Sequence, residues 1–163
     1  MARTVRRLGA ALITTALVLG SGVTGQATPD MASLLVVRHS GQCLTVGPDL
    51  LPRPSILQQP CEEDSPSQQW DLDHLGSGRH HIVSALSGQC LEVDHSGLGD
   101  LLTLWTCNGS GHQQWDRIGA FDSMFRNADS GKCVTVDEAS HVVGTPVVQS
   151  SCAYGSHQRW TVR

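Results

Sequence analysis

The sequence predicts an all-β fold built from three copies of one repeat, and three observations carry that prediction. A Ser-Gly-x-Cys segment ending in valine three positions after the cysteine occurs three times, at 40–46, 87–93 and 130–136. Each copy reaches a second cysteine 17 to 19 positions later and then a Gln-x-Trp, with successive tryptophans 45 positions apart. Past residue 27 the apolar runs are short, alternating and bounded by Gly or Pro, and none has a helical period.

The chain opens with Arg3, Arg6 and Arg7, continues through an apolar run at 8–20, and reaches small residues at Gly25-Gln26-Ala27. Basic, then apolar, then small is the order of a secretory signal peptide. We expect residues 1–27 to be removed and the mature chain, 28–163, to be secreted and extracellular. The leader would take three of the eleven basic residues and none of the fifteen acids, moving the formal balance from −4 to −7. An acidic surface without a basic stripe argues against nucleic acid and against anionic membranes. The expected partner is neutral or basic.

Within each repeat the elements follow in order. Leu35-Val36-Val37, Ile82-Val83 and Phe125 precede the Ser-Gly turn as first strands. After the first cysteine, Leu44 and Val46, Leu91 and Val93, and Val134 and Val136 alternate with their neighbours, the pattern of a half-buried second strand. Runs at 55–57, 101–105 and 146–148 supply third strands, and the Gln-x-Trp segments lead into fourth strands. Repeats of about 33–76, 77–120 and 121–163 thus make roughly twelve strands, a number suited to a closed antiparallel architecture.

All six cysteines follow the leader, and an exported chain meets an oxidising environment. The period suggests one bridge per repeat: Cys43–Cys61, Cys90–Cys107 and Cys133–Cys152. Pairing across repeats is the alternative. The large rings of Trp70, Trp115 and Trp160 suit equivalent places in a symmetric core. The amides of Gln68, Gln113 and Gln158 suit the backbone groups of a buried turn beside them.

Three Gln-x-Trp motifs, three Ser-Gly-x-Cys segments and one cysteine pair per copy resemble the ricin-type β-trefoil lectin family, which includes family 13 carbohydrate-binding modules. The resemblance spans about 33–163. It implies a β-trefoil of three pseudo-symmetric repeats of four strands, with six barrel strands, three capping hairpins and one shallow sugar pocket per repeat. In that family an aspartate two positions after the first cysteine usually takes sugar hydroxyls, and none of the three copies here keeps it. An aromatic residue two positions before the second cysteine stacks on the sugar, and a polar residue precedes the Gln of Gln-x-Trp.

In repeat one these positions hold Thr45, Gln59 and Ser67, and in repeat three Thr135, Ser150 and His157. Repeat two holds Glu92, Trp105 and His112, followed by Gln113. Glu92, Trp105, His112 and Gln113 are therefore the expected carbohydrate-binding residues, with galactose- or xylose-type glycans as ligands. Tyr154 reads first as a residue that covers a loop, with a substitute ring for repeat three as the alternative. Asp94 and Asp137 read as turn residues.

No metal or other cofactor is expected. His80 and His81 are adjacent and point to opposite faces of a strand, and disulfides would consume the thiolates. No nucleophile elbow singles out a Ser/His/Asp set, so the chain reads as non-enzymatic. The rival reading is a β-trefoil scaffold with degenerate sugar sites that binds a protein partner through loops such as 47–54 and 62–66.

Overall fold

The structure is a computed structural model that describes residues 32–49, 53–94 and 101–163. The expected leader at 1–27 and parts of two loops lie outside the described residues. Twelve strands fall in three sets of four. The first set is β1 (Ser33–Val37), β2 (Cys43–Val46), β3 (Ile56–Gln59) and β4 (Gln69–Gly76). The second is β5 (Arg79–Ser84), β6 (Cys90–Val93), β7 (Leu102–Trp105) and β8 (Trp115–Ile118). The third is β9 (Asp122–Asn127), β10 (Cys133–Val136), β11 (Val147–Ser150) and β12 (Trp160–Val162). Among the described residues the only helical pieces are three-residue 3-10 turns, three of them running into the Gln-x-Trp segments.

The first and fourth strands of each set close a ring. β1 pairs with β4, β4 with β5, β5 with β8, β8 with β9, β9 with β12, and β12 returns to β1, all antiparallel. The remaining strands form the hairpins β2–β3, β6–β7 and β10–β11. Bridges between Leu57 and Pro146 and between Leu101 and Val148 join neighbouring hairpins. A six-stranded barrel capped by three hairpins is the β-trefoil, and closure leaves its strands no open edge.

The Ser-Gly turn that leads into each hairpin has a local cause. Gly41, Gly88 and Gly131 sit at φ of 70°, 68° and 70°, a left-handed conformation costly for any residue with a Cβ. The preceding Ser40, Ser87 and Ser130 accept a backbone N–H two residues on through Oγ, each at 3.3 Å. That side-chain turn fixes the direction in which the second strand leaves.

The core lies along the barrel axis. Trp70, Trp115 and Trp160 are fully buried, among Leu35, Leu44, Ile56, Ile82, Leu91, Leu104, Phe125 and Val134. Each indole N–H donates to the carbonyl of the residue after the first cysteine: to Leu44 at 2.9 Å, Leu91 at 3.0 Å and Val134 at 3.2 Å. Each ring therefore packs the core and ties its own fourth strand to its own second strand.

The cysteines pair within repeats as Cys43–Cys61, Cys90–Cys107 and Cys133–Cys152. One expectation needs correction. β2, β6 and β10 are not half-buried, because all four residues of each are buried. Leu44, Leu91 and Val134 face the core, while on the opposite face Gln113 and Arg53 bond to Glu92 and Gln158 to Thr135.

Candidate functional site

The loop after each second cysteine is held by the glutamine of Gln-x-Trp. Gln68 accepts the Glu62 N–H at 2.7 Å and donates to the Pro60 carbonyl at 2.9 Å. Gln113 does the same with Asn108 N–H at 2.8 Å and the Thr106 carbonyl at 2.9 Å. Gln158 repeats it with Ala153 N–H at 2.7 Å and the Ser151 carbonyl at 2.9 Å. The amide thus clasps the backbone on either side of the second cysteine, satisfying groups that a buried turn would otherwise strand.

In repeats two and three the same amide also bonds to the residue two positions after the first cysteine. In repeat two Gln113 Nε2 donates to Glu92 Oε2 at 2.7 Å, and Glu92 is only 5% exposed. In repeat three Gln158 Nε2 reaches Thr135 Oγ1 at 3.0 Å and Ser150 Oγ at 3.3 Å. Like that of Thr135 at the Cys133 carbonyl, the Thr45 hydroxyl of repeat one donates to its own strand, at the Cys43 carbonyl. A groove of about 400 Å³ lies there, lined by Thr45, Gln59, Glu62, Ser67 and Gln68.

β6 and β7 set the second-repeat site. Their register places Cys90 opposite Trp105 and Glu92 opposite Thr103, so Glu92 and Trp105 lie diagonally on one face of the hairpin. Leu91 and Leu104, alternating with them, enter the core. Trp105 ends its strand 39% exposed, unlike the three fully buried tryptophans. The structure thus brings together Glu92, Trp105 and Gln113 of the four expected residues. His112 is directed elsewhere: its Nδ1 lies 3.1 Å from Asp129 Oδ2 of the third repeat, and its carbonyl accepts the Asn127 amide.

Arg53 is the residue that sequence reasoning missed. It comes from the β2–β3 loop of repeat one, and its Nη1 lies 3.2 Å from Glu92 Oε1 and 3.0 Å from Asp94 Oδ1. Its guanidinium carbon stands 4.6 Å from the centre of a Trp105 ring, within cation–π range. Asp94, read from sequence as a turn residue, is one of its two anionic partners. The loop is further seated by the Thr103 hydroxyl, which donates to the Pro54 carbonyl at 3.0 Å.

Fold and site together define a pseudo-threefold β-trefoil of the lectin type, with one pocket position per repeat. Residues 31–115 match the ricin-type beta-trefoil lectin domain, and residues 112–163 match its ricin-type beta-trefoil lectin domain-like counterpart. The chain belongs to the ricin-type β-trefoil lectin family. It is similar to ThreeFoil, a designed 3-fold symmetric protein, at 30% identity and a TM-score of 0.74, over 80% of this chain and 96% of that one. It is also similar to an exo-β-1,3-galactanase from Clostridium thermocellum, at 31% identity and a TM-score of 0.70, over 82% of this chain but 30% of the galactanase. The ricin B-like lectin of Macrolepiota procera, solved in complex with lactose, shares the fold at 17% identity and a TM-score of 0.67, over 84% of this chain and 97% of that one. No curated protein matches the chain.

Proposed function

We propose that the protein is a secreted, non-catalytic carbohydrate-binding module that takes galactose- or xylose-type glycans chiefly in the second-repeat pocket. The observation that carries this reading is the placing of a buried carboxylate, Glu92, on the same hairpin face as a half-exposed ring, Trp105. A sugar needs acceptors for its hydroxyls and a flat apolar surface for its C–H face. Gln113 fixes Glu92 through Oε2 and leaves Oε1 to another donor, which here is Arg53. Repeats one and three lack both groups, with Thr45 and Gln59 in one and Thr135 and Ser150 in the other. The lactose bound by the Macrolepiota procera lectin supports a galactose-type ligand by likeness of fold.

The test is a glycan array probed with the protein and with Trp105→Ala. The reading expects saccharide binding that the variant loses. Binding that survives unchanged in the variant rejects the assignment of the site.

A second reading, a scaffold for a protein partner, draws on the occupation of Glu92 and Trp105 by Arg53. An array without any glycan signal, alongside a defined partner recovered by pull-down, favours that reading.

A further inference from the structure

We propose that Arg53 is the specificity-determining residue of the second-repeat pocket: its guanidinium occupies the place of a neutral sugar, so that a saccharide binds only when Arg53 withdraws. The inference rests on the carbohydrate reading of that pocket. Two contacts of Arg53 fall on the groups a sugar would use, and a third reinforces them. Nη1 takes Glu92 Oε1, the carboxylate oxygen that Gln113 leaves open, at 3.2 Å. The planar guanidinium lies 4.6 Å from the Trp105 ring centre, the distance of a stacked partner. Asp94 holds the same Nη1 at 3.0 Å, and this second acid strengthens the cation's hold at the mouth of the pocket.

The arrangement is particular to this repeat. Three positions before the third strand of each set the chain carries Arg53, Gly99 and Gly144. Among the described residues the β10–β11 loop lies against the pocket position of repeat one, as the β2–β3 loop lies against that of repeat two. Gly144 accordingly sits beside Gln59, the counterpart of Trp105, where a Cβ on it would come within 3.9 Å of Gln59 Nε2. A glycine leaves its neighbour's pocket open, whereas an arginine at the same place fills it. The groove of repeat one is open while the better-equipped pocket of repeat two holds a side chain of its own protein.

Only the fraction of molecules with Arg53 withdrawn binds a sugar, and the apparent affinity falls by that fraction. Ligands that bring their own cation compete on the same terms as Arg53, while a neutral saccharide enters only at the cost of the Arg53 contacts to Glu92 and Asp94.

The experiment compares the protein with Arg53→Ala and Arg53→Gln, using lactose as probe in solution and acrylamide quenching of tryptophan fluorescence without ligand. The expected result is that lactose binding tightens about tenfold in both variants. Quenching should rise in both, because Trp105 loses its cover while the other three indoles stay buried. Lactose affinity that is unchanged or weaker in the variants overturns the proposal and leaves the carbohydrate reading standing. Quenching that does not rise also overturns it, since the ring was then never covered. Lactose binding by none of the three proteins, with quenching increased, overturns this proposal, and the absence of any signal on the glycan array as well defeats the carbohydrate reading.

Discussion

Gln113 and Glu92 are joined inside the second repeat by a bond of 2.7 Å from Nε2 to Oε2, and both side chains are buried. One glutamine thus orients the pocket carboxylate and also anchors the loop after Cys107. Gln113→Ala would strand the Asn108 N–H, the Thr106 carbonyl and one oxygen of a buried carboxylate. We expect a loss of about 3 kcal/mol in denaturant unfolding. Gln68→Ala, which strands two backbone groups and no carboxylate, should cost less, about 2 kcal/mol.

The four tryptophans should separate cleanly. Trp115→Ala removes a fully buried ring and its bond to the Leu91 carbonyl, and should cost about 4 kcal/mol. Trp105→Ala removes a half-exposed ring from the end of β7 and should cost less than about 1 kcal/mol. Thermal melts of the two variants check the contrast. Equal losses would mean that Trp105 is a core residue rather than a pocket wall.

Each disulfide closes a loop of nearly the same length, with separations of 18, 17 and 19 residues. Replacing any one pair by serines should therefore cost about 3 kcal/mol on the chain-entropy account, with little difference among the three. Peptide mapping of the native protein should recover only bridges within repeats.

His39 gives the fold a pH dependence. Burial lowers its pKa below the ordinary imidazole range, and the nearby His141 and His157 lower it further. A hydrogen bond between its Nε2 and the Ser140 carbonyl opposes the shift without reversing it. The folded state then holds fewer protons than the unfolded chain, so this contribution is complete above about pH 6.5 and is lost as pH falls below it. Melting temperature should decline between about pH 7 and pH 5, and His39→Gln should flatten the decline. Asp116 adds a separate loss in stronger acid. Burial pushes its pKa up, but the Arg79 and Arg126 guanidinium groups outweigh burial and hold it below the usual carboxylate range.

The barrel was legible because its symmetry is written in residues that each repeat needs. Gly41, Gly88 and Gly131 are required by a left-handed turn, and the three tryptophans by an axial core. The same period suggests one bridge per repeat with cross-repeat pairing as the alternative, and the structure shows the former. Glu92, Trp105 and Gln113 were legible only through the family resemblance, whose pocket positions stand at fixed offsets from those markers. Burial of β6 on both faces was not, because alternation reports only the core side and Gln113 covers the other from a distant segment. Arg53 was hidden for an opposite reason. Its contacts run between repeats, and the matching positions hold Gly99 and Gly144, so no pattern internal to a repeat marks it. His112 misled because neighbours in sequence need not share a face, and its ring turns to Asp129.

A lactose titration followed by two-dimensional NMR of the indole N–H groups tests the account at its centre. The account predicts that the Trp105 signal moves progressively while those of Trp70, Trp115 and Trp160 stay in place. A titration in which Trp105 does not move, and the responding amides belong to repeat one or repeat three, would contradict it.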